Sequence, residues 1–106
     1  MSEGILGGNV RAIGLASVTI DPASVATITT AEQTFTVPGL RVGDAVFINK
    51  PSNTTGLGIA NTRVSAANTL AISFVNPTAG GVDAASETYT VLWVRASGAL
   101  PGGAGD

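Results

Sequence analysis

Apolar and polar residues alternate with a period of two along most of the chain, which is the pattern of half-buried β-strands. Short alternating or β-branched stretches lie between turn residues at 15–20, 25–30, 33–37, 45–49, 57–65, 69–75 and 87–95. No stretch keeps apolar residues at helical spacing for more than about two turns. The pattern predicts an all-β fold, a small antiparallel β-sandwich or barrel of about six to seven short strands.

Turn residues separate these stretches. Pro38-Gly39 and Val42-Gly43-Asp44 are typical of tight turns, because proline presets one backbone angle and glycine accepts a positive φ. The triplet Ala66-Ala67-Asn68 joins two of the stretches and predicts a hairpin with Asn68 in the left-handed conformation.

The last stretch, residues 87–95, is apolar on both of its sides. Tyr89, Val91 and Trp93 share one face, whereas Leu92 and Val94 lie on the other. A strand of this kind is central in its sheet or covered on both faces. We therefore expect a strand that is central or covered on both faces, with Trp93 in the core, and the alternative is a Trp93 exposed for binding.

Both ends of the chain differ from the middle in their glycine content. Glycine at positions 4, 7, 8 and 14 predicts an N-terminal arm over residues 1–14, and the glycine-rich residues 97–106 predict a flexible C-terminal tail. The β domain is then expected over residues 15–96. The arm carries four apolar residues that could bind a partner or pack on their own domain: Ile5, Leu6, Val10 and Ile13.

The chain has 106 residues with no His and no Cys. Without imidazole or thiol it cannot build a Ser-His-Asp or Cys-His nucleophile, or a Cys/His zinc site. No cofactor and no enzymatic activity are expected from this composition, and the length fits one main domain.

The charged fraction is unusually low. Only 11% of the residues are charged and 44% are hydrophobic, whereas a charged share of about 25% is typical. A surface covered by Thr, Ser, Ala, Asn and Gly is suited to packing against other subunits, although a monomer with a Thr-rich β surface would have the same composition. The net charge of −2 and the scattered basic residues predict no nucleic-acid partner.

Carboxylates are the remaining candidates for chemistry, and each has a structural explanation. Asp21 precedes Pro22 and Asp44 follows Gly43, which are turn positions where a short acceptor caps backbone N–H groups. The loop from Asp83 to Glu87 could offer oxygen ligands to an ion, but no Asp-x-Asp-x-Asp run is present and a solvated loop is favoured. No catalytic or metal residues are therefore predicted.

Two further expectations concern location. No run approaches the roughly 18 apolar residues of a membrane span, so no membrane partner is expected. The start, Met1-Ser2-Glu3-Gly4, lacks the basic region of a signal peptide, which predicts synthesis in a cytoplasm without secretion.

Several segments together resemble the small all-β virion proteins of tailed bacteriophages, especially those that decorate or cement the capsid. The segments are residues 30–40, 42–46, 64–80 and 88–91. The resemblance covers about residues 15–96. It implies a homotrimer on the outer surface of the capsid that binds major capsid protein subunits and stabilises the shell, often through a terminal arm.

A second function remains open at this point. The chain could be a receptor- or carbohydrate-binding module of a phage fibre or tail, with its function in the loops at 50–57 and 76–86. Those loops hold mainly Pro, Ser, Asn, Thr, Ala and Gly. Such residues favour close packing over selective recognition.

Overall fold

A computed structural model describes residues 8–103 as an all-β protein, as the alternating pattern predicts. These residues form no helix, and therefore none long and apolar enough to span a membrane. The six strands, in chain order, are β1 (Val10–Ile20), β2 (Thr29–Thr36), β3 (Ala45–Asn49), β4 (Gly58–Ala66), β5 (Thr69–Asn76) and β6 (Glu87–Ala96).

The strands form two antiparallel three-stranded sheets. Sheet I has the order β1-β6-β3, and sheet II has the order β2-β5-β4. The prediction of a small sandwich is confirmed. The last strand is central in sheet I, which is one of the two positions that its apolar residues on both sides predict.

The two inner faces share one hydrophobic core. The core residues are at most 7% exposed. Sheet I contributes Ile20, Val46, Tyr89 and Val91. Sheet II contributes Val64, Leu70, Ile72 and Phe74. Burial of apolar surface at roughly 25 cal/mol per Å² makes this core the main source of stability, because the chain has no disulfides.

Trp93 lies on the same inner face and packs against the core, half-buried. Its indole occupies the space above Gly14 on β1, which is its direct cross-strand partner. The expectation that Trp93 belongs to the core is confirmed, with its ring at the edge of the core rather than in its centre.

Two tight turns form at the predicted glycines in the β2–β3 loop. Gly39 and Gly43 have φ angles of 96° and 99°, and each is the third residue of a four-residue turn. Asp44 N–H donates to the carbonyl of Arg41 at 3.0 Å. The positive φ at the third position is the type II geometry.

The predicted hairpin between β4 and β5 is also present. Asn68 has a φ of 60°, as expected for a left-handed asparagine. Its side-chain Oδ1 accepts a hydrogen bond from Gly39 N–H at 2.8 Å, which ties this hairpin to the β2–β3 loop. The loop has two residues instead of three, because β4 continues through Ala66.

The stretch 25–30 was expected to be a strand, and this is wrong for most of its length. Val25 forms only an isolated bridge with Val82, and β2 begins at Thr29. Between them Ile28 has a φ of 48°, which is incompatible with an extended strand.

The side chain of buried Asn76 binds the backbone of this irregular stretch. Its Nδ2 donates to the carbonyls of Val25 and Ala26 at 3.0 and 3.2 Å, and to that of Gly80 at 2.8 Å. Its Oδ1 accepts from Thr78 N–H at 2.8 Å. The amide side chain thus holds this backbone together with the single bridge between Val25 and Val82.

Candidate interaction surface

The outer face of sheet I is apolar over two adjacent rows of residues. Residues directly opposite each other in antiparallel strands share a face. The register therefore sets Ile13, Val94 and Ala45 in one row and Leu15, Leu92 and Phe47 in the next. We call these six residues the apolar outer face.

Three large side chains of this face project into solvent. Leu15 is 72% exposed, Phe47 is 58% exposed and Ile13 is 50% exposed. Each belongs to a strand at an edge of sheet I, and the central strand β6 lies between them. The next row, Ser17, Thr90 and Asn49, is polar, so the apolar rows have a defined border.

The outer face of sheet II has the opposite character. Arg63 on β4 forms a bidentate ion pair with Glu32 on β2, with both N···O distances at 2.8 Å. Thr34 and Thr36 lie on the same face of β2 and are exposed. A charged, threonine-rich face is adapted to water, whereas the outer face of sheet I is apolar over two rows.

The predicted partner-binding residues fall into two groups. Val10 and Ile13 lie in β1 and pair with Ala96 and Val94 of β6, and Ile13 belongs to the apolar outer face. Ile5 and Leu6 lie outside the described residues. That these four residues bind a partner remains a prediction.

Glu87, one of the two carboxylates considered for ion binding, is engaged by neighbouring side chains. Glu87 lies 2.9 Å from Lys50 Nζ and accepts a 2.5 Å hydrogen bond from Ser52 Oγ. The Ser52 hydroxyl, followed by Lys50, lowers the pKa of Glu87. In residues 8–103 no group of three or more His, Cys, Asp or Glu side chains is placed to hold a metal.

Part of this surface could be read from the sequence, and part could not. Leu92 and Val94 were predicted to share a face opposite Trp93, and the structure confirms this parity. Phe47 was not connected to them, because its pairing with Leu92 joins residues 45 positions apart along the chain. No local pattern specifies such a pairing.

A scan against protein-family models found no match, and searches of the curated proteins and of the solved structures found no significant match.

Proposed function

We propose that the chain is a structural virion protein that decorates and stabilises the capsid of a tailed bacteriophage. In this proposal it binds major capsid protein subunits as a homotrimer on the outer surface of the shell. The observation that carries the proposal is the apolar outer face of sheet I.

A folded protein rarely leaves such a face in water. Contiguous exposed apolar patches larger than a few hundred Å² mark sites of interaction or a tendency to aggregate. Here three neighbouring strands supply the patch, and none of its six residues is charged. A surface of this kind supports a protein whose working state is an assembly.

A trimer would cover the apolar outer face in the same way in every copy. Three copies around one axis can turn their sheets I toward each other, and closed symmetry covers the face in every copy. The polar face of sheet II would then remain in solvent. The low charged fraction and the resemblance to capsid decoration proteins support the same assignment.

Purified phage particles test the proposal. Mass spectrometry of intact virions should detect the chain, and cryo-EM should place its density on the outer surface of the capsid with threefold symmetry. Density confined to the tail or a fibre would instead support a receptor- or carbohydrate-binding module. Absence from the particle would refute both virion roles.

A further inference from the structure

Three of the five basic residues of the chain meet at one cavity at the end of sheet I. Arg11 comes from the start of β1, Arg41 from the β2–β3 loop and Arg95 from the end of β6. The cavity has a volume of about 290 Å³. We call it the arginine cleft. The three arginines are far apart in the sequence, which gives no sign that they share a cavity.

One of the three guanidinium groups is already paired. Arg95 donates to both carboxylate oxygens of Asp44, at 2.9 and 2.7 Å, and to the carbonyl of Gly39 at 2.8 Å. The Asp44 side chain is only 2% exposed. Hydrogen bonding from Arg95 lowers the pKa of Asp44, with smaller contributions from the backbone N–H and the charge of Arg41. Asp44 therefore stays ionised and holds Arg95 in place.

The other two guanidinium groups give the cleft an excess of positive charge. Arg11 and Arg41 form no ion pair with any carboxylate of residues 8–103. Three guanidinium groups and one carboxylate line the cavity, so its local charge is +2 on a chain whose net charge is −2. The cleft is thus electrostatically complementary to an anion.

Backbone features present the two arginines to the cavity. The register of β1 against β6 shifts between Val10 and Ala12, so Arg11 is the additional residue of a β-bulge, and bulges redirect side chains. Arg41 is the first residue of the turn closed by Asp44 N–H. Both side chains are exposed.

A small apolar cavity of about 110 Å³ adjoins the cleft. Val10, Ala45 and Val94 line it, and it shares Gly43, Ala96 and Leu100 with the cleft. A ligand that fills both cavities carries an anionic group next to an apolar group. That combination is ordinary in a protein segment and absent from a sugar-phosphate backbone.

We propose that the arginine cleft binds an acidic peptide segment of a partner protein, with a carboxylate between Arg11 and Arg41 and a neighbouring apolar side chain in the adjoining cavity. A guanidinium group matches the two oxygens of a carboxylate with a planar pair of donors, as Arg95 does with Asp44. The adjoining cavity shares Ala45 and Val94 with the apolar outer face, whereas the three arginines lie outside that face, and the site does not require the capsid role.

The single tryptophan of the chain provides a probe for binding. The guanidinium carbon of Arg95 lies 4.9 Å from the centroid of the Trp93 ring. An anion in the cleft changes the field at the indole, so titration with an acetylated peptide of Leu, Glu and Gly should shift Trp93 fluorescence. Isothermal titration calorimetry then gives the affinity.

Matched arginine variants test the site. Arg11→Gln and Arg41→Gln should each weaken binding of the acidic peptide by at least about tenfold, since a hydrogen bond to a charged group contributes roughly that factor. Arg63→Gln is the control, because Arg63 lies on the outer face of sheet II and should leave the affinity unchanged. A peptide with Gln in place of Glu should not bind.

Binding of two other probes, inorganic phosphate and a DNA oligonucleotide, shows which results would contradict the proposal. Equal affinity for inorganic phosphate and for the acidic peptide would reduce the cleft to a general anion site, and tighter binding of a DNA oligonucleotide would make nucleic acid the partner. No heat or fluorescence change with the peptide, or equal losses in all three variants, would overturn the site. These measurements use the isolated protein, so the capsid proposal stands or falls separately on the virion.

Discussion

Gly14 and Trp93 form a contact in which glycine is required for steric reasons. A Cβ atom at position 14 would lie 2.6 Å from Cζ2 of Trp93, closer than two non-bonded carbon atoms can approach. We expect Gly14→Ala to displace the indole and to destabilise the fold by roughly 1 to 3 kcal/mol, the usual cost of overpacking. Thermal unfolding and the Trp93 emission wavelength measure both effects.

Gly98→Ala is the matched control for this substitution. A Cβ at Gly98 meets no atom within 4 Å, so the melting temperature should stay close to that of the wild type. Equal melting temperatures for the two variants would contradict the contact between Gly14 and Trp93.

The Asp44–Arg95 ion pair predicts a specific dependence of stability on pH. The pKa of Asp44 is lowered below its ordinary value of 3.8, chiefly by hydrogen bonds from Arg95. A depressed carboxyl pKa contributes stability above the unfolded pKa, and this contribution is lost as pH falls through the folded pKa. At pH 7 Asp44→Asn should therefore lower the free energy of unfolding, by roughly 1.5 to 3 kcal/mol.

Urea unfolding of the wild type and Asp44→Asn, from pH 7 to about pH 2, checks this prediction. The difference between the two proteins should narrow below about pH 4 and vanish once Asp44 is protonated. A constant difference over this range would show that the carboxylate charge is not involved. Glu32→Gln serves as a control, because the ion pair of Glu32 with Arg63 is largely exposed and worth little.

At the scale of elements, β1 connects the described fold to the predicted arm. β1 begins at Val10 and is paired with β6 from its first residue, so part of the segment 1–14 is strand. Deletion of residues 1–7 leaves β1 whole. We expect this truncated protein to fold and to keep the oligomeric state of the full chain. If the proposed trimer attaches through its arms, the truncation should weaken binding to capsid shells by roughly a hundredfold or more, because three arms would otherwise bind together.

Co-sedimentation with purified capsid shells measures this effect. Deletion of residues 1–14 is the comparison, since it also removes the β1 residues that pair with Ala96, Arg95, Val94 and Trp93, and it should lower stability. Equal shell binding by the full chain and by the protein lacking residues 1–7 would show that the arm makes no attachment.

Local patterns predicted β3, β4, β5 and β6 to within one residue at each end, because strand alternation and turn residues are short-range properties. β1 and β2 begin five and four residues earlier than predicted. β3 was predicted at residues 45–49, where the structure places it, and β6 differs by a single residue at its end. The prediction of a strand was wrong for most of residues 25–30, where the β-branched residues are typical of a strand but do not form one. The amide of Asn76, about fifty positions away, holds that backbone instead, and no nearby residue indicates this.

The arginine cleft and the apolar outer face could not be predicted from the sequence, and the reason is the same for both. Both arise where β1, β6 and the region around β3 come together, through contacts between residues far apart in the chain. Arg11 and Arg95 are 84 positions apart and line one cavity. The sequence shows that both residues are charged, but it does not show that they line the same cavity.

For the whole molecule, the apolar outer face predicts the behaviour of surface variants. Leu15→Thr and Phe47→Thr keep strand propensity and replace exposed apolar side chains, so each should fold with little change in stability. If the face holds the trimer together, the double variant should be a monomer at concentrations where the wild type is a trimer.

Size-exclusion chromatography with light scattering measures the mass of each species. Thr34→Val is the control, since it changes an exposed threonine on the outer face of sheet II and should leave the trimer intact. A wild type that is monomeric at tens of micromolar, with no threefold density on the virion, would refute the trimer. A trimeric double variant would place the interface elsewhere.

The pairing of the first and last strands has a practical consequence for engineering. Ser97 N–H donates to the carbonyl of Asn9 at 2.7 Å, so the chain enters and leaves the sandwich at one end. A short linker between these positions would close the polypeptide into a ring, and new termini could be opened in the exposed loop around Ser52 and Asn53 without cutting any strand. Such a circular permutant would present a fused cargo from the β3–β4 loop, which begins at the opposite end of sheet I from the arginine cleft.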